Sequence, residues 1–355
     1  MQLRTYGPII LKGKLSLRNL FGRQEGIQTG EGPPKRMDMR EFYRNCRLCP
    51  RSCGANRLTK GGNGNLGFCG ETDRLRVAYV GPHFGEEPPI SGTKGAGTVF
   101  LSGCSLRCSY CQNYQISQEG VGADTSLTTL FRKIQNMIHV HQVHNISFIT
   151  PDHFFPHIFD AVSLVRKNQI TLPVVFNLSG YQSLDLLRVC ESYAEIYIPD
   201  FKYADPRLAR QLSRCPDYPH IALEAISEMI RQKGFLEVSN SASSPATQGV
   251  LVRHLILPGN VGNSIDALTS LFIEFGPGLP LSLMSQYHPV LEQKDDVLNR
   301  SLLEEEFQQV YSHATDLGFE HLFVQFPDDQ EKNSSVSGSF LPDFRSEDPF
   351  AHQQD

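Results

Sequence analysis

The chain has 355 residues, is 40% hydrophobic and carries a formal net charge of −5. At ~150 residues per domain it holds one large domain with appendages or two ordinary ones, and its apolar content argues against disorder throughout. Its longest apolar runs, such as 146–149, are too short for a membrane helix, the first twenty residues lack the apolar stretch of a secretory signal, and the mild acidity makes no case for nucleic acid or a membrane surface as partner. Nine cysteines, an odd number without an export signal, fit a reduced, cytoplasmic compartment. There, clustered thiols usually bind metal or take part in catalysis.

Residues 1–40 show weak periodicity and carry eight Lys or Arg against three Asp or Glu. They read as an irregular basic arm, solvated rather than nucleic-acid binding, because aromatic residues are sparse there. Residues 41–75 contain Cys46, Cys49, Cys53 and Cys69 together with Gly61, Gly62, Gly64 and Gly67. Four thiols in so short a span predict a metal-binding segment, and the glycines let the backbone turn tightly around it. The C-x2-C spacing fits structural zinc or an iron–sulfur cluster and favours neither.

From residue 98 onward strand and helix signals alternate. Strand-like runs lie at 98–101, 146–149, 173–176, 195–198, 250–257, 281–284 and 322–325. Helical spacing marks 126–141, 155–166, 183–191, 206–214, 220–233, 264–275 and 302–317. Each parallel return needs a crossover, so this α/β alternation predicts a parallel sheet, and six or seven units suggest a full or partial (β/α) barrel. Past Phe326 the composition turns to Pro, Asp, Ser and Gln, with seven acidic residues against two basic ones over 327–355. That predicts an acidic, disordered tail.

In barrels the chemistry gathers at the C-terminal ends of the strands. After the first strand comes a loop with Cys104, Cys108, Tyr110 and Cys111. Three thiolates at this spacing can hold one iron–sulfur cluster. A 4Fe-4S cluster has four irons, so three cysteines leave one iron open to a small molecule. A zinc loop borrowing a distant histidine is the rival reading, although structural zinc usually closes its shell with four protein ligands. The later strands lead to Thr150-Pro151-Asp152, to Asn177-Leu178-Ser179, to Asp200-Phe201-Lys202, to Arg253 within the fifth strand, and to His288 after the sixth. Polar groups at so many strand ends are hard to assign to solubility alone.

The triplet Cys104, Cys108, Cys111 with Tyr110 before the last cysteine resembles the signature of the radical S-adenosylmethionine superfamily. From about residue 46 to 326 the chain is similar to the pyruvate formate-lyase activating enzyme-like branch, including Tyr197-Ile198-Pro199-Asp200-Phe201-Lys202-Tyr203 and Arg253-His254-Leu255. The resemblance implies a partial (β/α)6 TIM-like barrel over 76–326, preceded by the cysteine-rich metal-binding segment. It implies that Cys104, Cys108 and Cys111 ligate three irons of a 4Fe-4S cluster and that S-adenosyl-L-methionine chelates the fourth. Tyr110 is then expected near the adenine, and Asn177 and Ser179 near the ribose or carboxylate. Asp200 and Lys202 match an Asp-x-Lys stretch of the group, and His288 matches its histidine after the sixth strand. Activating enzymes place Gly-Gly-Glu where this chain has Thr150-Pro151-Asp152, so the methionine contact falls to the Thr150 hydroxyl, backbone carbonyls or Asp152.

Blander readings stand beside these. Lys202 with Asp200 makes an ordinary ion pair, His288 a structural histidine, and Arg253 either a carboxylate partner or a cap on the barrel interior. Cys190 and Cys215 read as packed thiols. His139, His141 and His144 read as surface or core residues.

The implied chemistry is reductive cleavage of S-adenosylmethionine to a 5′-deoxyadenosyl radical that takes a hydrogen atom from a substrate. One version activates a glycyl-radical protein; another modifies a small molecule or a different protein residue. A one-electron donor such as flavodoxin or ferredoxin is the implied partner. The reading from another class is a non-catalytic zinc or iron–sulfur binding module.

Overall fold

The structure is a computed structural model that describes residues 39–59, 65–237, 244–327 and 341–351. The basic arm expected over 1–40 therefore falls almost wholly outside the described residues. The first described element is a 3-10 turn, Met39–Tyr43, whose Tyr43 is buried.

The sheet opens with β1 (Arg76–His83), antiparallel to β2 (Ala96–Leu101). Between them lies the short helix α1 (Pro88–Ser91), while α2 (Tyr114–Ser117) and β3 (Ala123–Asp124) follow β2. The repeating part then runs α3 (Leu127–His141), β4 (Ile146–Ile149), α4 (Phe155–Lys167), β5 (Val174–Leu178), α5 (Leu184–Cys190) and β6 (Ile196–Pro199). It continues as α6 (Pro206–Ser213), α7 (Tyr218–Lys233), β7 (Gly249–Val250), β8 (Val252–Leu255), α8 (Val261–Phe275), β9 (Leu281–Met284), α9 (Glu304–Leu317) and β10 (Leu322–Val324).

β2, β4, β5, β6 and β7 pair in parallel in that order, as do β8, β9 and β10. β7 and β8 are halves of one strand interrupted at Leu251. The Leu251 amide still bonds the Tyr197 carbonyl at 3.1 Å, and Asp200 bridges Arg253. The parallel strands thus run from β2 to β10 with helices between them, the expected partial TIM-like barrel. The expected strand at 250–257 is present but broken. β1 and β3 carried no expectation and add an antiparallel edge beside β2.

Alternation sorts the strand side chains. Val99, Leu101, Phe148, Phe176 and Tyr197 pack with Leu130, Ile134, Phe155 and Ile158 of the helices. The other face looks into the barrel. There Ala96, Val175, Ile196, Ile198 and Leu251 gather around Ile90 of α1, so α1 closes the N-terminal end of the strands. α3 shows how local sequence builds the outer layer. The Ser126 hydroxyl accepts a bond from the Thr129 amide, Leu130, Ile134 and Met137 form the buried stripe, and Gln142 ends the helix in the left-handed region. Burying each of those three side chains contributes about 1.5–3 kcal/mol.

One expectation fails in part. The tail was expected to be disordered from 327, yet residues 341–351 are seated. Phe344 and Phe350 are buried against Phe100 and Ile149 on the inward face of β2 and β4, and against Ile116 of α2. Composition reports average hydrophobicity, and two phenylalanines in an acidic context escape that average. No helix among the described residues is long and apolar enough to cross a membrane.

Candidate active site

The loop that follows β2 is fixed from its first residue. Gly103 has φ of +81°, and a Cβ there would lie 2.5 Å from Glu71 Cγ and 2.8 Å from the Cys69 carbonyl oxygen, so only glycine fits the turn. Cys104, Cys108 and Cys111 follow, and the Cys111 amide bonds the Cys108 carbonyl at 3.2 Å. Each sulfur accepts a hydrogen bond. The Leu106 amide donates to Cys104 Sγ at 3.3 Å, the Ser213 hydroxyl to Cys108 Sγ at 3.0 Å and the Ser117 hydroxyl to Cys111 Sγ at 3.4 Å. Such donors favour thiolate over thiol and orient the ligand.

Arginines hold this loop from outside. Arg107, itself at φ +51°, reaches the Gln118 carbonyl at 3.2 Å, and the Gln118 side-chain Nε2 donates to the Cys108 carbonyl at 2.8 Å. Arg51, from the cysteine-rich segment, bonds the carbonyls of Ser105 and Leu106 at 3.0 and 3.4 Å, and also those of Ser213 and Arg214.

The other expected residues converge unevenly. Lys202 Nζ meets Asp200 Oδ2 at 2.6 Å, with both side chains about four-fifths covered. Burial opposes the Lys202 charge, but Asp200 and the thiols of Cys108 and Cys111 outweigh it and hold the amine above its ordinary value. Tyr110 is buried, its hydroxyl 2.9 Å from that of Tyr203 and its ring 6.1 Å from Tyr287. Tyr203 in turn bonds Ser213, so a chain of hydroxyls ends on Cys108. Thr150 has φ of +51°, a strained setting for a β-branched residue, and its amide bonds the Asn177 carbonyl at 2.9 Å. Strain of this kind collects at functional sites. Ser179 is buried and receives a bond from Gln182 at 3.3 Å.

Three expected residues have partners or exposure of their own. Asp152 is wholly buried and accepts from the Gln182 side-chain amide at 2.6 Å. Arg253 is held inside the barrel by Glu87, at 2.8 Å from its Nε, and by Glu86. The capping alternative describes it, and its guanidinium is already paired. His288 is exposed. Cys190 and Cys215 are buried free thiols, as expected of packing residues, while His139 and His141 are exposed.

Ser117, Ser213, Arg51 and Arg107 escaped the sequence reading, and Tyr203 entered it only as part of a motif. Ser213 is about a hundred positions from the thiol it bonds, and no motif marks it.

The residues present suit a cluster and its ligand. Three thiol groups carry sulfur-directed donors, and in the same stretch of chain the buried Ser105 Oγ and Asn113 Oδ1 lack a partner among the described residues. The family model for a 4Fe-4S single cluster domain matches residues 91–198, a span that contains the triplet. The uncharacterized protein MJ0674 of Methanocaldococcus jannaschii is 24% identical over 290 residues, covering 78% of this chain and 75% of its own length. Among solved structures, HydG, a maturase of the [FeFe]-hydrogenase, has a TM-score of 0.46 at 13% identity, covering 66% of this chain and 53% of HydG. Native anSMEcpe with bound AdoMet has a TM-score of 0.43 at 14% identity, covering 64% of this chain and 62% of that one. SuiB of Streptococcus suis bound to S-adenosylmethionine has a TM-score of 0.42 at 10% identity, covering 63% of this chain and 48% of SuiB. The chain therefore spans about half the length of SuiB and HydG. The cysteine signature at the end of β2 lies inside the matched 4Fe-4S single cluster domain, and the chain is in this respect similar to radical S-adenosylmethionine enzymes.

Proposed function

We propose that this enzyme abstracts a hydrogen atom from a substrate admitted to the mouth of the barrel. The observation that carries the reading is the set of three sulfurs, each with its own donor, in a loop with no further cysteine until Cys190. Such a loop leaves one iron of a 4Fe-4S cluster free for S-adenosylmethionine. When bound, the cluster and this cofactor supply one-electron reductive cleavage to a 5′-deoxyadenosyl radical.

The chain's own residues do the rest. Ser117, Ser213 and the Leu106 amide stabilise the thiolates, and Lys202 sets a covered positive charge beside Cys108 and Cys111. Thr150, Asn177 and Ser179, at adjacent strand ends, are the candidates for cofactor contact. Tyr110, Tyr203 and Tyr287 keep water from the loop.

The resemblance to activating enzymes supports a protein glycine as target, with a flavodoxin or ferredoxin as electron donor. Anaerobic reconstitution with iron and sulfide, followed by dithionite and S-adenosylmethionine, tests the reading. Formation of 5′-deoxyadenosine, abolished by Cys108→Ala, is expected. A loaded cluster with the triplet intact and no 5′-deoxyadenosine would identify a binding module instead.

A further inference from the structure

We propose that Cys46, Cys49, Cys53 and Cys69 hold a second iron–sulfur cluster, with Arg57 as its buried counter-ion. These four residues precede the matched single-cluster domain, which begins at residue 91. The inference does not depend on the radical chemistry.

The segment folds so as to gather its thiols. The Gly54 amide bonds the Cys46 carbonyl at 3.1 Å, the Cys46 amide bonds the Ala55 carbonyl at 3.0 Å and the Ser52 amide bonds the Cys49 carbonyl at 3.0 Å. These bonds close a tight loop round the first three cysteines. Cys69 is brought back to them by the turn at Gly67, where a Cβ would meet Cys69 Sγ at 3.1 Å and Arg57 Cδ at 3.2 Å. All four are free thiols, three of them buried.

Arg57 sits among them with no solvent exposure. Its guanidinium donates to the carbonyls of Glu71, His153 and Thr72 at 3.0, 2.9 and 2.7 Å, and to Cys46 Sγ at 3.5 Å. It also lies 4.7 Å from the Tyr43 ring centroid. No carboxylate is bonded to it among the described residues. The Glu71 carboxylate feels the Arg57 charge, which opposes the burial that raises it, but it is bonded to Arg76 at 3.2 Å. A buried cation whose own hydrogen bonds go to neutral carbonyls and to sulfur is better stabilised with a further anion beside it. Thiolates ligating a metal centre provide that anion, and Cys46 is already in contact.

Among the described residues, no three His, Cys, Asp or Glu side chains are placed to hold a single metal ion. That holds for these four cysteines and equally for Cys104, Cys108 and Cys111. Four thiols suit zinc and a cluster alike, and the adjoining triplet, matched by a 4Fe-4S domain, favours a cluster here. The second centre adjoins the first, because the Cys104 amide bonds the Cys69 carbonyl at 3.2 Å.

The test uses the full chain with Cys104→Ala, Cys108→Ala and Cys111→Ala, reconstituted anaerobically with ferrous iron and sulfide. It should retain ~4 irons per chain with thiolate-to-iron absorption. Adding Cys49→Ala and Cys69→Ala should remove both signals. In this background Arg57→Met should shift the midpoint potential to more negative values, since a nearby positive charge favours the reduced cluster, and Arg57→Lys should leave it in place. Should the triple variant fold poorly, iron in the otherwise unaltered chain should fall by half on Cys49→Ala with Cys69→Ala. A triple variant that is folded by circular dichroism yet takes up only zinc, or no metal, overturns the proposal. A potential indifferent to Arg57→Met overturns the counter-ion role. Neither outcome bears on 5′-deoxyadenosine formation through Cys104, Cys108 and Cys111.

Discussion

Asp152 has no solvent exposure, and burial pushes its carboxyl up to about 6, a shift that the bond from Gln182 opposes. The folded-state value lies above the unfolded one, so ionised Asp152 destabilises the fold. That penalty is absent below about pH 4 and grows as pH rises through about 6. Asp152→Asn is therefore expected to raise stability at pH 8 by on the order of 2 kcal/mol, and to change little at pH 4. Its amide also gains a candidate acceptor in Gln182 Oε1, which lacks a partner among the described residues. Urea midpoints at the two pH values decide this, and a variant less stable at pH 8 would show that the charge is needed. The Ser213 hydroxyl acts at the same scale. Ser213→Ala removes the donor to Cys108 and should lower cluster affinity or 5′-deoxyadenosine formation by about 10–100-fold. Unchanged cluster occupancy and unchanged turnover would leave Ser213 as packing only. The triplet was legible because its chemistry lies within eight consecutive residues. The fate of Arg253 was not, because Glu86 and Glu87 lie more than 160 positions earlier and are brought to it only by the barrel closing.

Among the elements, the helices and parallel strands could be read from the chain because each carries its own period. α3, with Leu130, Ile134 and Met137 on one stripe, is the plainest case. β1 hid because Gly81 and Pro82 interrupt it and it lies at an antiparallel edge, outside the strand–helix rhythm. α1 and α2 span four residues each, too short for any periodicity to register. The C-terminal segment hid for another reason. Its anchors are contacts rather than a pattern: Phe344 lies 5.1 Å from Phe100, and Phe350 lies 4.5 Å from the His83 ring and 5.6 Å from Tyr79. The Phe344 amide bonds Gln115 Oε1 at 2.7 Å, and Arg345 pairs with Glu119 at 2.6 Å near the surface. Two rings must offset the ordering of the segment, so it is expected to release before the barrel unfolds. Phe344→Ala with Phe350→Ala should speed protease cleavage within 341–351 several-fold while barely moving the global urea midpoint. An equally large loss of global stability would make the segment part of the cooperative core.

For the molecule as a whole, the C-terminal end of the barrel is where distant parts of the chain are fastened together, and Arg51 is the fastening. It comes from the cysteine-rich segment and donates to the carbonyls of Ser105 and Leu106 in the cysteine loop and of Ser213 and Arg214 at the end of α6. Its guanidinium also lies 4.1 Å from the centroid of the Phe68 ring and 5.4 Å from that of Tyr181. Segment 41–75 thus clamps the cluster loop as well as housing its own thiols. Hydrogen bonds from a charged donor contribute about 1.5–3 kcal/mol each, less where solvent reaches them. Arg51→Ala is accordingly expected to cost about 2–3 kcal/mol of stability. The loss should be local: amide exchange should quicken at residues 104–111 and 213–215, which Arg51 holds, and stay slow in β5 and β6, whose ladder it never touches. Hydrogen exchange followed by mass spectrometry measures both regions in one sample. Slow exchange retained at 104–111, or equal acceleration in β5 and β6, would show that the cluster loop is held by the barrel itself and not by this arginine.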